Sequence, residues 1–315
     1  MKLENKKILL TGGTGFFGKH LATELQKKKP NKIIIPRSQT ADLREIKNCL
    51  KVTKDVDILF HLAGHVGGIG FNQKKPGEIF YNNAIMGLQI IEAARINQVK
   101  KVVIIGTICS YPKYTTVPFK ETDFWEGYPE ETNASYGLAK KMLLTQLQAY
   151  RNQYGFNGIF LLPANLYGPH DNFSPQSSHV IPSLIQKMQT AIDHNTPEIK
   201  IWGDGSVTRE FFYVEDAAKN LVLSSEMYNS TEPLNLGNGS EISIKDLAEK
   251  IGLLMGYTGR FLWDTTQPQG QLRRCLDTTI SEKLLNFKEA TSLEQGLQKT
   301  IDWYRHRNSH DTKKF

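Results

Sequence analysis

Short, unbroken apolar runs alternate with longer amphipathic stretches through most of the chain. Lys7–Thr11, Lys32–Ile35, Asp57–Leu62, Lys101–Ile105 and Gly158–Leu162 are dominated by apolar residues, the pattern of strands buried on both faces of a parallel sheet. Between them lie helical patterns: one through Gln26, one over Tyr81–Asn97, and one that begins near Ser135. Further on, Leu234–Leu236 reads as strand, Ser178–Pro182 opens a helix, and Ile244–Met255 and Leu293–Trp303 read as helices. Repeated strand and helix predict an α/β fold, a Rossmann-type doubly wound parallel sheet with a smaller α/β substrate-binding lobe. The expected division is a Rossmann domain over residues 1–168 and a second lobe over 169–315, with segments near 206–236 returning to the first.

The connections carry the candidate chemistry. Gly12-Gly13-Thr14-Gly15-Phe16-Phe17-Gly18 stands directly between the first strand and first helix. Glycines three apart there permit a tight turn, close backbone approach to a pyrophosphate and close helix packing, with the anion at the helix N-terminus. The second strand leads into Arg37-Ser38, where an NAD enzyme usually has an acidic residue for the ribose hydroxyls. A guanidinium there suits a 2′-phosphate and favours NADP, with a solvated loop arginine as the plainer alternative. Asp42-Leu43 follows, in place to hold an adenine edge, and Ala63-Gly64 are small enough for a ligand to approach the backbone.

Tyr136 and Lys140 are four apart at the head of a helical run, so they share a face. An ammonium beside a phenol is expected to lower its pKa and make a proton-transfer device. Taken alone, the pair is better read as a surface tyrosine beside a solvated lysine.

Composition narrows the field. The 315 residues carry 39 Lys+Arg against 32 Asp+Glu, a net charge of +7. The excess lies in scattered lysines and a tail from His306 to Lys314, without a nucleic-acid recognition motif. No apolar run approaches a membrane span and the first residues are polar, so a cytoplasmic protein is expected. Cys49, Cys109 and Cys275 are widely spaced and form neither a metal-ligand pattern nor a disulfide framework.

The glycine fingerprint, the loop around Thr107, Tyr136 with Lys140, and Asn165 together resemble the extended short-chain dehydrogenase/reductase family. A narrower resemblance runs over almost the whole chain. It is carried by Val66-Gly67-Gly68-Ile69, Cys109 with Tyr111-Pro112-Lys113, Asn165–Phe173, Ser178–Pro182, Trp202-Gly203 and Arg209-Glu210-Phe211. These are similar to the GDP-L-fucose synthase branch, NADP-dependent 3,5-epimerases and 4-reductases of GDP-4-keto-6-deoxy-mannose.

The resemblance implies roles residue by residue. Tyr136 would protonate the C4 oxygen during hydride transfer from NADPH, Lys140 would hold the nicotinamide ribose, and Cys109 with His179 would exchange protons at C3 and C5. Thr107 stands where serine is usual; its hydroxyl can make the same bond, but its methyl narrows the pocket. By the same resemblance Leu62, Ala63, Gly64, Pro163, Asn165, Leu166 and His179 would add cofactor contacts. Val66, Gly67, Thr107, Ser110, Asn165, Lys187, Trp202, Arg209 and Arg273 would meet a GDP-linked 4-keto-deoxy sugar, with Lys187 in place of a usual arginine.

Singly, Cys109 reads as a small buried hydrophobe and His179 as a helix-start residue. A related GDP-linked keto-deoxyheptose is the alternative substrate. A non-catalytic NADP-binding regulator, which would need neither Tyr136 nor Lys140, is the alternative class. The family also implies a homodimer through the helices beginning near Tyr81 and Ser135.

Overall fold

The computed structural model describes residues 1–286 and 291–311; the basic residues at the C-terminus beyond 311 lie outside them. Four strand-to-helix steps and a fifth strand open the chain: β1 (Lys7–Thr11), α1 (Phe16–Lys27), β2 (Lys32–Ile34), α2 (Ile46–Thr53), β3 (Ile58–His61), α3 (Ile69–Lys74), α4 (Pro76–Ile96), β4 (Lys101–Ile105), α5 (Ala134–Tyr154) and β5 (Gly158–Pro163). The rest alternates between two layers: β6 (Asn165–Tyr167), α6 (Val180–Asp193), β7 (Glu198–Trp202), β8 (Thr208–Tyr213), α7 (Val214–Met227), β9 (Pro233–Leu236), β10 (Glu241–Ser243), α8 (Ile244–Met255), β11 (Arg260–Asp264), β12 (Arg273–Arg274), α9 (Thr279–Leu285) and α10 (Leu293–Asp311).

The main sheet is six-stranded and parallel, in the order β2-β1-β3-β4-β5-β9. Its central strands are apolar throughout because both faces are covered. Leu9, Leu59, Val102, Ile104, Phe160 and Leu162 pack beneath Ile90 and Ile91 of α4 and Leu143, Leu144 and Leu147 of α5. Their neighbours in sequence, among them Leu10, Phe60, Val103 and Leu161, pack on the other face against Leu21 and Leu25 of α1 and Leu221 of α7. From β1 the chain crosses to β2 on one side and then to β3 on the other. The glycine turn after β1 therefore lies at the point where strand order reverses, where such sheets leave a crevice for a ligand.

The expected helix over Tyr81–Asn97 begins earlier, at Pro76, because proline is well suited to the first helical position. Beyond β6, the amphipathic faces of α6, α8 and α10 close a second core, including Leu184, Ile185, Leu247, Ile251, Leu297 and Ile301. A parallel pair β7–β11 and a small sheet, in which β10, β12 and β6 all pair with β8, complete this layer.

Glu210, on β8 and fully buried, ties the layers together. Its carboxylate accepts N–H groups from Asn238 (2.7 Å) and Gly239 (2.9 Å) after β9, and from Leu276 (2.7 Å) after β12. A side chain at Gly237 would come within 2.0 Å of that carboxylate. Glu210→Ala strips three N–H groups, that of Leu276 buried and those of Asn238 and Gly239 partly so, of their charged acceptor. It is expected to lower unfolding stability by about 3 kcal/mol or more, read by urea denaturation; a loss below about 1 kcal/mol would mean that water replaces the carboxylate.

Candidate active site

A single cavity of about 1570 Å³ runs from the glycine turn across the strand ends to the second layer. That exceeds the roughly 300–1,000 Å³ of a typical small-molecule pocket and leaves room for two sizeable ligands side by side.

At one end, Gly12 through Gly18 line the wall. Gly12 has φ +72°, and a Cβ there would sit 2.7 Å from the Ala63 nitrogen; a Cβ at Gly18 would sit 2.1 Å from the Gly12 oxygen. α1 begins at Phe16 with no side-chain cap, so first-turn N–H groups are left to an anion. Leu62, Ala63, Gly64, Pro163, Asn165 and Leu166 continue the floor, and Arg37, Ser38, Asp42 and Leu43 close the far end. This donor set fits a dinucleotide with an extra phosphate.

Two residues of this end escaped the sequence reading. Arg44 lines the cavity and grips the Asp42 carboxylate through Nε (3.0 Å) and Nη2 (2.7 Å), so that carboxylate is already engaged by a cation rather than left for an adenine edge. Asn83 of α4 fixes the loop after β3. Its amide accepts from His65 N (3.0 Å) and donates to His65 O (2.9 Å) and Ile79 O (2.7 Å). Its only sequence signal was a polar residue within an otherwise buried helix face.

In the middle, α5 presses against the turn after β4. Gly137 makes this possible, since a Cβ would lie 2.5 Å from the Cys109 oxygen. Tyr136 and Cys109 thereby line the same cavity as Thr107. The Thr107 hydroxyl accepts Cys109 N–H at 3.2 Å, which leaves its own proton to donate into the cavity. Ser110 does not reach the cavity: it is fully buried and its hydroxyl donates to Gly137 O at 2.9 Å. The 3₁₀ turn that aims Cys109 inward turns its neighbour away.

Lys140 is buried behind the wall near Gly64, and burial lowers its pKa to about 8. The expectation that this lysine lowers the phenol is overturned. Burial, and then the charge of nearby Cys109, push Tyr136 above its usual range. Enclosure disfavours phenolate, so Tyr136 stays protonated at neutral pH and acts as a donor.

His179 caps α6 and faces the same cavity. It stands exposed at the cavity, and the desolvation that the surrounding walls impose on its ring disfavours imidazolium and lowers its pKa. Lys187, two helical turns along α6, also lines the wall and donates to Lys200 O at 2.8 Å. Val66, Gly67, Trp202 and Arg209 complete this end. Trp202 remains 46 % exposed, an indole face open to a planar base.

Arg273 is not part of the site. It is exposed and its Nε donates to Glu241 at 3.0 Å, whereas Arg274 lines the cavity. Alternation along β12 decides between them: the register sets Arg274 beside Arg209, facing inward, and Arg273 beside Thr208. The sequence showed a pair of arginines, but only strand pairing tells which one faces in. Among the described residues no group of His, Cys, Asp and Glu could hold a metal.

The model of the NAD dependent epimerase/dehydratase family matches residues 8–237. GDP-L-fucose synthase of Sinorhizobium fredii is 37 % identical over 95 % of this chain and 96 % of its own length. A GDP-6-OMe-4-keto-L-xylo-heptose reductase from C. jejuni superposes with TM-score 0.90 at 26 % identity, covering 96 % of this chain and 99 % of that one. A GDP-L-fucose synthetase from Naegleria fowleri bound to NADP superposes with TM-score 0.88 at 29 % identity, covering 97 % and 94 %.

The cofactor end generates a binding prediction. Arg37→Ala is expected to weaken NADPH about tenfold or more and NADH much less, by fluorescence titration. Equal losses for the two cofactors would exclude a 2′-phosphate contact.

Proposed function

Because the chain belongs to the NAD dependent epimerase/dehydratase family, we propose that it is an NADPH-dependent epimerase and reductase. Its substrate is a GDP-linked 4-keto-6-deoxy-mannose-type sugar, inverted at C3 and C5, reduced at C4 and released as GDP-L-fucose. The observation that carries this assignment is the meeting of Cys109, His179, Tyr136 and Thr107 in one cavity that also holds the glycine turn.

The chain's residues divide the work as follows. Lys187 and Arg209 pair with the diphosphate and Trp202 stacks on the guanine. The C4 ketone acidifies the C–H bonds at C3 and C5. Cys109 and His179 hold one transferable proton between them, so one takes a proton from carbon while the other returns one to the opposite face. The electron pair released moves onto the C4 oxygen, where the Tyr136 and Thr107 hydroxyls stabilise the enolate. NADPH, when bound, supplies hydride to C4. Tyr136 then gives its proton to the same oxygen, and Lys140 holds the nicotinamide ribose. One pair of hydroxyls thus serves both reactions.

A second reading, C4 reduction of a related GDP-linked keto-deoxyheptose without epimerisation, is favoured by the likeness to the C. jejuni heptose reductase. The chain is further assigned as a cytoplasmic homodimer. Supporting the dimer, α4 and α5 pack side by side, with Phe80 and Tyr81 of α4 and Tyr154 of α5 exposed. No helix among the described residues is long and apolar enough to cross a membrane.

The two half-reactions are expected to fail separately. With GDP-4-keto-6-deoxy-mannose in D₂O, Cys109→Ser suppresses deuterium entry at C3 and C5 while reduction of the unepimerised ketone persists. Tyr136→Phe cuts NADPH oxidation by about 10²-fold or more but leaves slowed exchange. Intact enzyme that oxidises NADPH with no deuterium entry would assign it as a C4 reductase only.

Lys140 generates a pH dependence. Its pKa near 8 means that the cation is lost as pH rises through that value, so NADPH oxidation is expected to fall above about pH 8. A rate flat to pH 10 would exclude the lysine's charge from the step.

A further inference from the structure

Arg274 is only 5 % exposed, and all sides of its guanidinium are engaged within the protein. Nε donates to Gln271 Oε1 at 3.0 Å, Nη2 pairs with Glu130 at 3.5 Å, and Nη1 donates to the Cys109 sulfur at 3.2 Å. Each of the first two partners is itself fixed. Gln271 donates to Lys113 O at 2.8 Å, and Glu130 accepts from the Thr132 hydroxyl at 2.6 Å and from Asn133 Nδ2 at 3.0 Å. The guanidinium is therefore aimed at sulfur by a rigid cradle rather than by a flexible chain.

Thiol sulfur is a weak acceptor, but a thiolate beside a guanidinium makes a charge-assisted bond. Arg209 lies beside Arg274 across the β8–β12 pair, and Glu130 and Glu241 are the carboxylates that act on this part of the wall.

We propose that Arg274 is a positioning residue that fixes the direction of the Cys109 sulfur towards the sugar and pairs with its thiolate when that form acts as base. The inference rests on the assignment of Cys109 to proton exchange and adds what makes that exchange possible. A guanidinium held against the sulfur makes a charge-assisted bond to the form that can act as base. In the step itself the thiolate takes a proton from C3 or C5. The S–H bond forms as the C–H bond breaks, and the electron pair passes through the enolate to the C4 oxygen. Negative charge leaves sulfur for the oxygen held by Tyr136 and Thr107, and the pull of Arg274 on sulfur is released.

Alkylation of the ligand-free, full-length protein by iodoacetamide tests this without any turnover. Cys49 and Cys275 are buried, so the fast-reacting thiol is Cys109, as its loss in Cys109→Ser checks. Arg274→Gln is expected to slow alkylation at pH 7 by about tenfold or more, and Arg274→Lys, which restores a cation, to recover most of the rate. Glu130→Gln keeps the cation and an acceptor for Nη2 but loosens the cradle, so it is expected to slow alkylation less than Arg274→Gln does; a fall equal to that of Arg274→Gln would mark a general loosening of the wall and overturn the proposal. Arg274→Gln alkylating as fast as the intact protein, or Arg274→Lys no faster than Arg274→Gln, would also overturn it. So would weakened GDP binding with alkylation unchanged, which would make Arg274 a diphosphate ligand instead. Absent deuterium exchange in an enzyme with normal Arg274-dependent alkylation would remove the epimerase assignment while leaving the Arg274–Cys109 pair intact.

Discussion

The contact between the first turn of α5 and the turn after β4 is the constraint from which the rest of the site follows. It is set by one missing atom. A Cβ on Gly137 would lie 2.5 Å from the Cys109 oxygen, so only glycine lets the helix seat. Seated there, α5 brings Tyr136 to the wall that holds Cys109 and Thr107, while Ser110 locks the contact through its bond to Gly137 O. A displacement of an ångström at this point would separate the phenol from the sulfur and the threonine hydroxyl, and the shared oxyanion site would be lost.

The second layer approaches this wall on a different device, a buried carboxylate. Glu210 draws the segments after β9 and β12 onto β8, which fixes the register that places Arg274 beside Arg209. Arg209 and Arg274 are thus held by strand pairing, and the proton-transfer groups by helix and turn. Cations on rigid backbone and enclosed titrating groups reinforce one another. The burial that raises Tyr136 and lowers Lys140 also strengthens the charged contacts beside them.

Much of the fold was legible because parallel strands covered on both faces write themselves as unbroken apolar runs; β1, β4 and α8 have the limits expected of them. Helix ends were less legible where the signal was chemically ambiguous. Pro76 breaks a helix in most positions and starts one in this position. At the candidate site, Cys109, Tyr136 and His179 drew attention through side-chain chemistry and resemblance, whereas Arg44, Asn83 and Arg274 did not. Asn83 and Arg274 act on segments distant in the chain, which no local spacing reveals; Arg44 grips Asp42 two residues away, but only the fold shows that it lines the cavity.

By itself the sequence determined what is local: the period of the apolar positions, the glycines that allow close backbone approach, and the identity of the titratable groups. These fix the element types, the sheet class and the inventory of chemistry, since each depends on neighbours within a few residues. Only the tertiary structure decided which of Arg273 and Arg274 faces inward, that Ser110 turns away, and that Tyr136 is raised rather than lowered. Facing is set by strand register, and titration by what encloses a group. Both are properties of segments far apart in the chain, brought together only when the two layers close.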